Sequence, residues 1–533
     1  QVQTQPAPAQ PPTGAGAGIR LPALGDAAGE DFTVGTERRI GDQIMAELRR
    51  DPDYLDDPLL LDYVQALWAP LLAAARQRGD ITAETDTALA WEPFLVRDRA
   101  VNAFALPGGY VGVHLGLIAM TTSRDELAAV LAHEMSHVTQ RHIARSIASS
   151  SRQSLVGMAA LLLGVLATSR SGGNGDATQA VIVGSQAAMA QGQLNFSRDM
   201  EREADRVGWG LHNGAGFAPV GVATMFEKLE NASRLNDNGA YPYLRSHPLT
   251  VERIGEARSR VEAVTGPRSA AQSPLDHLLM QARARILMDS GVPALRRQQG
   301  LDAAAPGTAA PASGERVAAL YASALASLQL REPARALTAV DAALPLARSA
   351  APTDARAARA LLLLQAQVLQ ANGQAAQAAR LLAAAETSAP ASGTGSARPL
   401  MLARAQAALE ASRAGGADTS ALRASAEALQ TWVAERRGDA GAWALLAQCA
   451  DALGLRLRAL RAEAETRAAL GDIGGAMDRL RAAQRLARSN TAAPDFIESS
   501  IIDSRLRDLS ALRRAQWAEA RGERGGRQEP PPQ

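Results

Sequence analysis

The sequence predicts a mainly α-helical protein in two parts: an α+β domain with a small sheet at residues 31–267, followed by an α-solenoid of helical repeats at 268–522. Short apolar and aromatic runs broken by Pro and Gly are confined to residues 91–118, which is typical of a small sheet. Past residue 267 the composition shifts to Ala, Leu, Arg and Gln, with almost no strand pattern. A chain of 533 residues is long enough for each part to bury its own core.

Composition limits the classes of function. Lys and Arg number 56 against 55 Asp and Glu, so the sequence offers no electrostatic basis for a nucleic-acid partner, and we expect none. Cys449 is the only cysteine, which excludes an intramolecular disulfide and a cysteine-based zinc site. Any metal must therefore be held by His, Asp or Glu. We expect flexible tails at 1–30 and 523–533, and the first of these lacks the basic and apolar regions of a signal peptide.

The elements of the first part follow from its apolar spacing. Helical spacing predicts amphipathic helices at 34–50 and 57–78. The runs at 91–98 and 100–118 predict a small sheet with a Gly-Gly turn. A further helix is expected at 195–216, ended by its closing glycines.

The central helix is predicted at 124–150. Ser123 can cap its first turn, and Glu126, three residues on, completes a capping box. The apolar run that follows, 155–167, is about 13 residues long where a membrane-spanning helix needs about 20. We expect a buried hairpin or an interfacial segment there, with peripheral membrane contact or contact with a partner as the alternative.

The second part contains a recurring ladder of small residues, with offsets of 0, 7, 12, 19 and 24 in its fullest version. Small residues at these offsets let two antiparallel helices approach closely, and glycine makes the turn between them. The pattern resembles the tetratricopeptide repeat, which stacks into a curved solenoid with a binding groove. The alternative is an alanine-rich bundle that meets the ladder by chance. The ladder residues are Ala366, Gly373, Ala378, Ala385 and Pro390; Ala324, Arg331, Ala336 and Ala343; Ala447, Gly454 and Ala459; and Ala464, Gly471, Ala476 and Ala483.

The segment HEMSH carries the strongest chemical pattern. His133 and His137 are four residues apart, so they project from one face of a helix and can hold one zinc ion. Glu134 lies next to that face, where it can accept a proton from water. His142 would emerge about 180° from His133 on a continuous helix, so we expect it not to reach the same metal. The alternative is that these are incidental polar residues.

A third ligand must come from elsewhere in the chain. Ile143 stands where a longer histidine pattern would need its third histidine, so that class of site is excluded. In MEREADRVG, Glu201 and Asp205 share one helix face. Glu201 would bind zinc, and Asp205 would accept a hydrogen bond from a ligand histidine and fix its tautomer. Glu203 points elsewhere and is the weaker candidate; a solvated charged face is the alternative for the whole segment.

Four segments, NAFALPGGYVGVHLGLI, HEMSHVTQRH, MEREADRVG and SHPLTVERI, resemble in order and spacing the M48 metallopeptidases of the gluzincin group. The resemblance covers most of residues 35–267 and implies a zincin-like (gluzincin) metallopeptidase domain. It implies that His133, His137 and Glu201 bind one Zn²⁺ per chain and that Glu134 is the general base of an endopeptidase.

The resemblance also implies roles for two further segments. An extended substrate would pair by strand addition with Asn102, Ala103, Phe104, Ala105, Leu106, Gly108 and Gly109. Family members keep a histidine and an arginine in HPxxxxRI, matched by His247 and Arg253. His247 either stabilises the oxyanion of the tetrahedral intermediate or occupies the open zinc position and keeps the enzyme latent. A loop histidine without a catalytic role is the alternative.

Together with the repeats, the resemblance is to family members of the bacterial periplasm. It implies an endopeptidase that degrades misassembled or stalled outer-membrane β-barrel proteins and assists their assembly, with the repeats docking the assembly machinery and its clients. The alternative, from another class, is a chaperone-like adaptor with a latent zinc site. A membrane-embedded peptidase is disfavoured by the shortness of 155–167.

Overall fold

The computed structural model describes residues 32–149, 197–235, 243–264, 275–303, 313–387, 397–415, 419–489 and 495–525. The predicted tail at 1–30, the apolar run at 155–167 and most of the predicted tail at 523–533 lie outside these ranges. Within them the protein is mainly helical with one small mixed sheet, which confirms the predicted fold class.

The N-terminal part contains ten described helices and four strands. The helices are α1 Val34–Leu48, α2 Pro58–Arg78, α3 Ala83–Ala88, α4 Leu115–Met120, α5 Arg124–Thr139, α6 His142–Ser149, α7 Arg198–Gly214, α8 Val220–Leu235, α9 Tyr243–Ser246 and α10 Val251–Ala263. The strands are β1 Tyr54–Leu55, β2 Glu92–Val96, β3 Ala103–Leu106 and β4 Tyr110–His114. The helices predicted at 34–50, 57–78 and 195–216 are confirmed as α1, α2 and α7.

The sheet has the strand order β1-β2-β4-β3. Strands β2 and β4 run parallel, whereas β1 and β3 are antiparallel to their neighbours, so β3 is an edge strand. The predicted Gly-Gly turn joins β3 to β4, and both Gly108 and Gly109 have positive φ angles of 82° and 85°. Such angles strain any residue with a Cβ atom. The last residues of the predicted sheet segment, from Leu115 onward, form the buried helix α4 instead of a strand. Strand β1 was not predicted from the sequence.

Helix α2 is the one described helix that is long and apolar enough to cross a membrane. It has 21 residues, a mean hydropathy of 1.3 over its apolar window, and 56% of that window buried inside the fold. Asp57 caps its first turn and Gly79 ends it with a φ of 77°. Its inward residues, Leu60, Val64 and Leu71, are fully buried in the core, which is the ordinary pattern of a core helix.

The prediction of one continuous helix at 124–150 is wrong. α5 ends at Thr139, and α6 begins at His142. Between them Arg141 has a φ of 50°, which breaks the helical path. The predicted start is confirmed, because the Ser123 side chain accepts a hydrogen bond from the amide of Glu126. The Glu126 carboxylate accepts from the amide of Thr122 rather than from that of Ser123.

The C-terminal part consists of helices that pack in chain order, each on the next. They are α11 Leu275–Leu287, α12 Val292–Gln299, α13 Ser313–Gln329, α14 Pro333–Ala350, α15 Ala355–Ala371, α16 Ala375–Thr387, α17 Ala397–Arg413, α18 Ser420–Glu435, α19 Ala440–Ala452, α20 Arg456–Ala469, α21 Ile473–Arg488 and α22 Phe496–Gly525. A short 3₁₀ turn, Gly300–Asp302, follows α12.

The small-residue ladder marks the turns and contacts of this helical repeat region. Gly373, Gly454 and Gly471 have φ angles of 76°, 74° and 80°, and Arg331, which replaces glycine in the ladder, has a φ of 59°. Ladder alanines such as Ala336 are buried between the paired helices. The predicted helical hairpins are therefore present, while their assignment to the tetratricopeptide class stays a prediction.

The apolar core is continuous across the predicted domain boundary at residue 267. One cluster of buried side chains extends from Phe32 in the N-terminal part to Ala407 in α17. At the start of α2, the Asp57 carboxylate accepts two hydrogen bonds from Arg283 of α11, at 2.8 and 2.6 Å, and all of these atoms belong to buried residues. The Asp62 carboxylate binds Arg356 and Arg359 of α15. Packing and buried ion pairs therefore join the two parts.

Replacement of Arg283 by alanine tests this junction. The change leaves Asp57 buried without its partner, and removal of one member of a buried ion pair costs about 3–5 kcal/mol. We expect the urea unfolding midpoint and the melting temperature to fall accordingly. Arg456→Ala is the matched control, because its pair with Asp451 has side chains 71% and 57% exposed and should contribute at most about 1 kcal/mol. Equal losses in the two variants would contradict a stabilising junction.

Candidate metal centre

Helix α5 presents two imidazole rings to one point. His133 and His137 are one turn apart, and their Nε2 atoms are 3.1 Å apart. Both residues are buried, with 6% and 0% of their surface exposed. Helix α7 packs directly against this part of α5 and brings a carboxylate to the same place.

Four side chains converge at this point: His133, His137, Glu201 of α7 and His247, which follows α9. One ligand atom from each lies within 4.8 Å of all the others. The two Glu201 oxygens are each 3.5 Å from the Nε2 atom of one histidine of α5. The Nδ1 atom of His247 is 2.9 Å from Glu201 Oε1 and 3.4 Å from His133 Nε2.

These separations fit a tetrahedral metal site. Zinc binds histidine nitrogen at about 2.0–2.1 Å, so two ligand atoms of a tetrahedron lie about 3.3–3.4 Å apart. With Oε1 as the Glu201 ligand atom, the separations to His137 Nε2 and His247 Nδ1 are 3.5 and 2.9 Å, and those from His133 Nε2 to the same two nitrogens are 3.1 and 3.4 Å, all near that length. Three nitrogens and one carboxylate oxygen are also a donor set that zinc accepts. The residues present therefore fit the metal that the sequence analysis predicts.

The charges in the cluster favour a cation at its centre. Burial raises the pKa of Glu201, but the adjacent His247 and His133 outweigh burial and hold that pKa well below its ordinary range. Burial lowers the pKa of His133, but hydrogen bonds to Asp205 and Glu201 outweigh it and raise that pKa. Burial and the nearby His133 lower the pKa of His137. The carboxylates thus favour positive charge at the centre of the cluster, and a bound divalent cation would supply that charge.

Glu134 lies beside the four ligand atoms but is not one of them. It is fully buried, and its Oε1 atom is 3.6 Å from His247 Nε2. Burial raises the pKa of this carboxylate. Neither of its oxygens has a hydrogen bond of ordinary length among the described residues. A carboxylate of this kind can accept a proton from a water molecule beside it.

Asp205, one turn after Glu201 on the same face of α7, and Arg253 of α10 contact the candidate ligands on the side away from the metal position. The Asp205 carboxylate lies 3.0 Å from His133 Nδ1, the nitrogen that faces away from the ligand group. The Arg253 guanidinium donates two hydrogen bonds to Asp205, at 2.6 and 2.8 Å, and lies 3.0 Å from Glu201. Arg253 thus neutralises part of the negative charge that Glu201 and Asp205 bring into the interior.

His142 and Glu203 were not assigned to the site by sequence reasoning. His142 is outside the group of four ligands, as expected, but the expected reason was wrong because α5 does not continue through it. Its Nδ1 atom is 2.9 Å from His137 Nδ1, and its Nε2 atom is 3.1 Å from Glu203. The segment between the two helices contains no glycine or proline that would have predicted this break.

The predicted substrate strand lies next to this group. Helix α5 packs against β3, and the backbone of Ala105 contributes to lowering the pKa of Glu134. On its outer edge β3 has no strand partner among the described residues. Asn102 is fully buried, and both polar atoms of its side chain lack a hydrogen-bond partner there. The carbonyls of Gly108 and Gly109 accept hydrogen bonds from Ala90 and Glu92, so the turn is fixed against β2.

A helix that carries HExxH, with a glutamate ligand from a later helix, defines a metallopeptidase of the gluzincin type. Residues 73–261 match the model of Peptidase family M48, so this part of the chain is an M48 metallopeptidase domain.

The chain is also similar to named proteins over about half of its length. A Vibrio cholerae protein, provisionally named a beta-barrel assembly-enhancing protease, is 37% identical over 273 residues, which are 50% of this chain and 52% of that protein. The beta-barrel assembly-enhancing protease of Escherichia coli strain K12 is 32% identical over 274 residues, 51% of this chain and 53% of the relative. The Mitochondrial metalloendopeptidase OMA1 of Schizosaccharomyces pombe is 35% identical over 177 residues, 31% of this chain and 45% of that protein. The chain thus spans about half the length of the first two relatives.

Replacement of His137 by alanine tests the metal centre. The change removes one of two histidine ligands on α5, so we expect stoichiometric zinc in the purified parent and almost none in the variant, as measured by elemental analysis. His114→Ala is the control, because His114 is similarly buried but lies outside the ligand group. Equal zinc content in the parent and in His137→Ala would contradict the assignment.

Proposed function

We propose that the protein is a zinc-dependent endopeptidase of the bacterial periplasm that degrades misassembled or stalled outer-membrane β-barrel proteins and assists their assembly. The observation that carries the proposal is the convergence of His133, His137, Glu201 and His247, with Glu134 beside them. The names of the relatives support the substrate class, because those proteins are called beta-barrel assembly-enhancing proteases. The periplasm follows from that substrate class.

The proposed reaction is the hydrolysis of a peptide bond. His133, His137 and Glu201 would hold the zinc ion, which when bound would supply a Lewis acid for the peptide carbonyl and make water more acidic. Glu134 accepts the proton of the attacking water and then transfers it to the leaving amine. Burial raises the pKa of Glu134 towards neutral pH. A shift in this direction suits a carboxyl group that must both accept and release a proton.

The outer edge of β3 would bind the substrate as an added strand. Strand addition uses the backbone hydrogen-bonding groups of an edge strand, so it suits extended chains of many sequences. The unsatisfied amide of buried Asn102 supports this role, because a substrate backbone would supply the partner that it lacks among the described residues. The helical repeat region would dock the assembly machinery and its clients.

His247 would act as a reversible block. Its Nδ1 atom stands at the fourth corner of the ligand group, 3.4 Å from His133 Nε2. A catalytic zinc site needs that corner for water or substrate. With His247 in place the peptidase would be latent, and withdrawal of the short helix α9 that precedes it would open the site.

The second candidate function is a chaperone-like adaptor, in which the repeats act and the zinc site stays latent. The same position of His247 favours it, because a filled fourth corner leaves no room for water. The two functions differ in whether Glu134 is needed.

Glu134→Gln separates the two functions. The change keeps all four ligands but removes the base, so we expect peptide hydrolysis to fall by about 10²- to 10⁴-fold with zinc content unchanged. The measurements are cleavage of an unfolded outer-membrane protein in vitro, and outer-membrane assembly in cells that carry only the variant. Full support of assembly by Glu134→Gln would favour the adaptor over the peptidase.

His247→Ala tests the block. Because removal of the imidazole opens the fourth corner, we expect faster cleavage of the unfolded substrate than with the parent, at equal zinc content. If His247 instead stabilised the oxyanion, its loss would slow cleavage by about 10²- to 10³-fold. A slower reaction would therefore overturn the latent state.

A further inference from the structure

The two histidine ligands of α5 are supported differently on the sides that face away from the ligand group. The Nδ1 atom of His133 meets a carboxylate directly, that of Asp205 at 3.0 Å. The Nδ1 atom of His137 meets a second imidazole, that of His142 at 2.9 Å. A hydrogen bond to this far nitrogen normally sets the tautomer and orientation of a metal-bound histidine.

The hydrogen bonds behind His137 have a single direction once His137 binds metal through Nε2. Its Nδ1 then carries the proton and donates it to Nδ1 of His142. The other nitrogen of His142, Nε2, then carries a proton and donates to Glu203 at 3.1 Å. The same Glu203 oxygen accepts from Arg145 at 2.7 Å, which keeps the carboxylate charged and in place.

The break between α5 and α6 is what brings His142 to this position. On a continuous helix a residue five positions after His137 would point about 140° away from it. Arg141, with its φ of 50°, reverses that direction. Arg141 is held in this strained conformation by Glu37 of α1, at 3.2 Å, and by the carbonyl of Phe32, at 2.8 Å. Glu37 is only 2% exposed, so the anchor is part of the interior.

We propose that His142 and Glu203 are positioning residues for His137, forming a His–His–Glu chain that sets the orientation of this ligand and the affinity of the site for its metal. The inference rests on the metal centre of the proposed function. It does not depend on whether the protein cleaves peptides.

A purely structural role is the competing explanation, since the same contacts also join α5, α6 and α7. The two explanations differ in metal affinity. Loss of a hydrogen bond behind a ligand histidine weakens metal binding by about 10- to 100-fold. Loss of a buried imidazole elsewhere lowers stability but leaves the ligand geometry unchanged.

The test is the zinc dissociation constant of the full chain, measured by competition with a fluorescent chelator. We expect it to rise by about 10- to 100-fold in His142→Ala. In His142→Asn the amide oxygen takes the place of the accepting nitrogen, so we expect most of the affinity to return. The visible absorption of bound Co²⁺ should shift in His142→Ala and recover in His142→Asn, because it reports ligand geometry directly.

His212→Ala is the matched control. His212 is fully buried on α7 and lies 3.1 Å from the carbonyl of Asp125, but it does not touch the ligand group. We expect its removal to lower the melting temperature as much as His142→Ala does, with an unchanged zinc dissociation constant. If His142→Ala does not fold, Glu203→Gln carries the test, because it keeps the shape of the side chain and should still weaken zinc binding.

Two results would overturn the inference. The first is zinc binding by His142→Ala and Glu203→Gln that matches the parent, with melting temperatures lowered as in His212→Ala. His142 and Glu203 would then have only a structural role. The second is an absence of zinc binding in the parent, which would contradict the assignment of the metal centre itself. The parent measurement therefore distinguishes failure of the proposed function from failure of this inference.

Discussion

The candidate site depends on the close approach of two helices, α5 and α7. Gly208 of α7 lies against the backbone of α5 at Ala132 and His133, and a Cβ atom there would come within 3.2 Å of that backbone. A larger residue would force the helices apart, and Glu201, about two turns earlier on α7, would move with them. Because ligand atoms must lie within a few tenths of an ångström of the metal distance, this contact sets whether the imidazoles and the carboxylate can share one ion.

The same contact creates an electrostatic problem that the fold resolves locally. Glu134 and Glu201 are buried, the Asp205 side chain is only 8% exposed, and each carboxylate lies within 3.6 Å of a histidine of the cluster. Uncompensated buried carboxylates are strongly destabilising. Arg253 binds two of the three, and the histidines supply protons or, when metal is bound, face a cation. Without such partners the cluster would take up protons and lose its ligands. The interactions that stabilise these buried carboxylates therefore also keep the ligand atoms in position for a metal.

The position of the repeats relative to the site is also fixed by buried contacts. The buried pair of Asp57 and Arg283 and the interactions of Asp62 with α15 hold the repeat helices against α2, which itself packs on α5 and α7. Under the proposed function, a client bound to the repeats would therefore lie at a fixed distance from the metal centre.

The sequence by itself determined the local parts of this protein. The four-residue spacing of His133 and His137 places both on one helix face, and Ser123 caps the start of that helix. Gly108 and Gly109 form a turn with positive φ angles, which strain residues that have a Cβ atom. These features are predictable because they depend only on a few neighbouring residues. The tertiary structure decided what depends on distant segments. The end of α5 at Thr139 carries no local signal and is held by Glu37, about a hundred positions earlier. This break brings His142 behind His137. The sequence does not reveal it because Arg141 is held in the left-handed region by Glu37 and Phe32, which are distant in the chain.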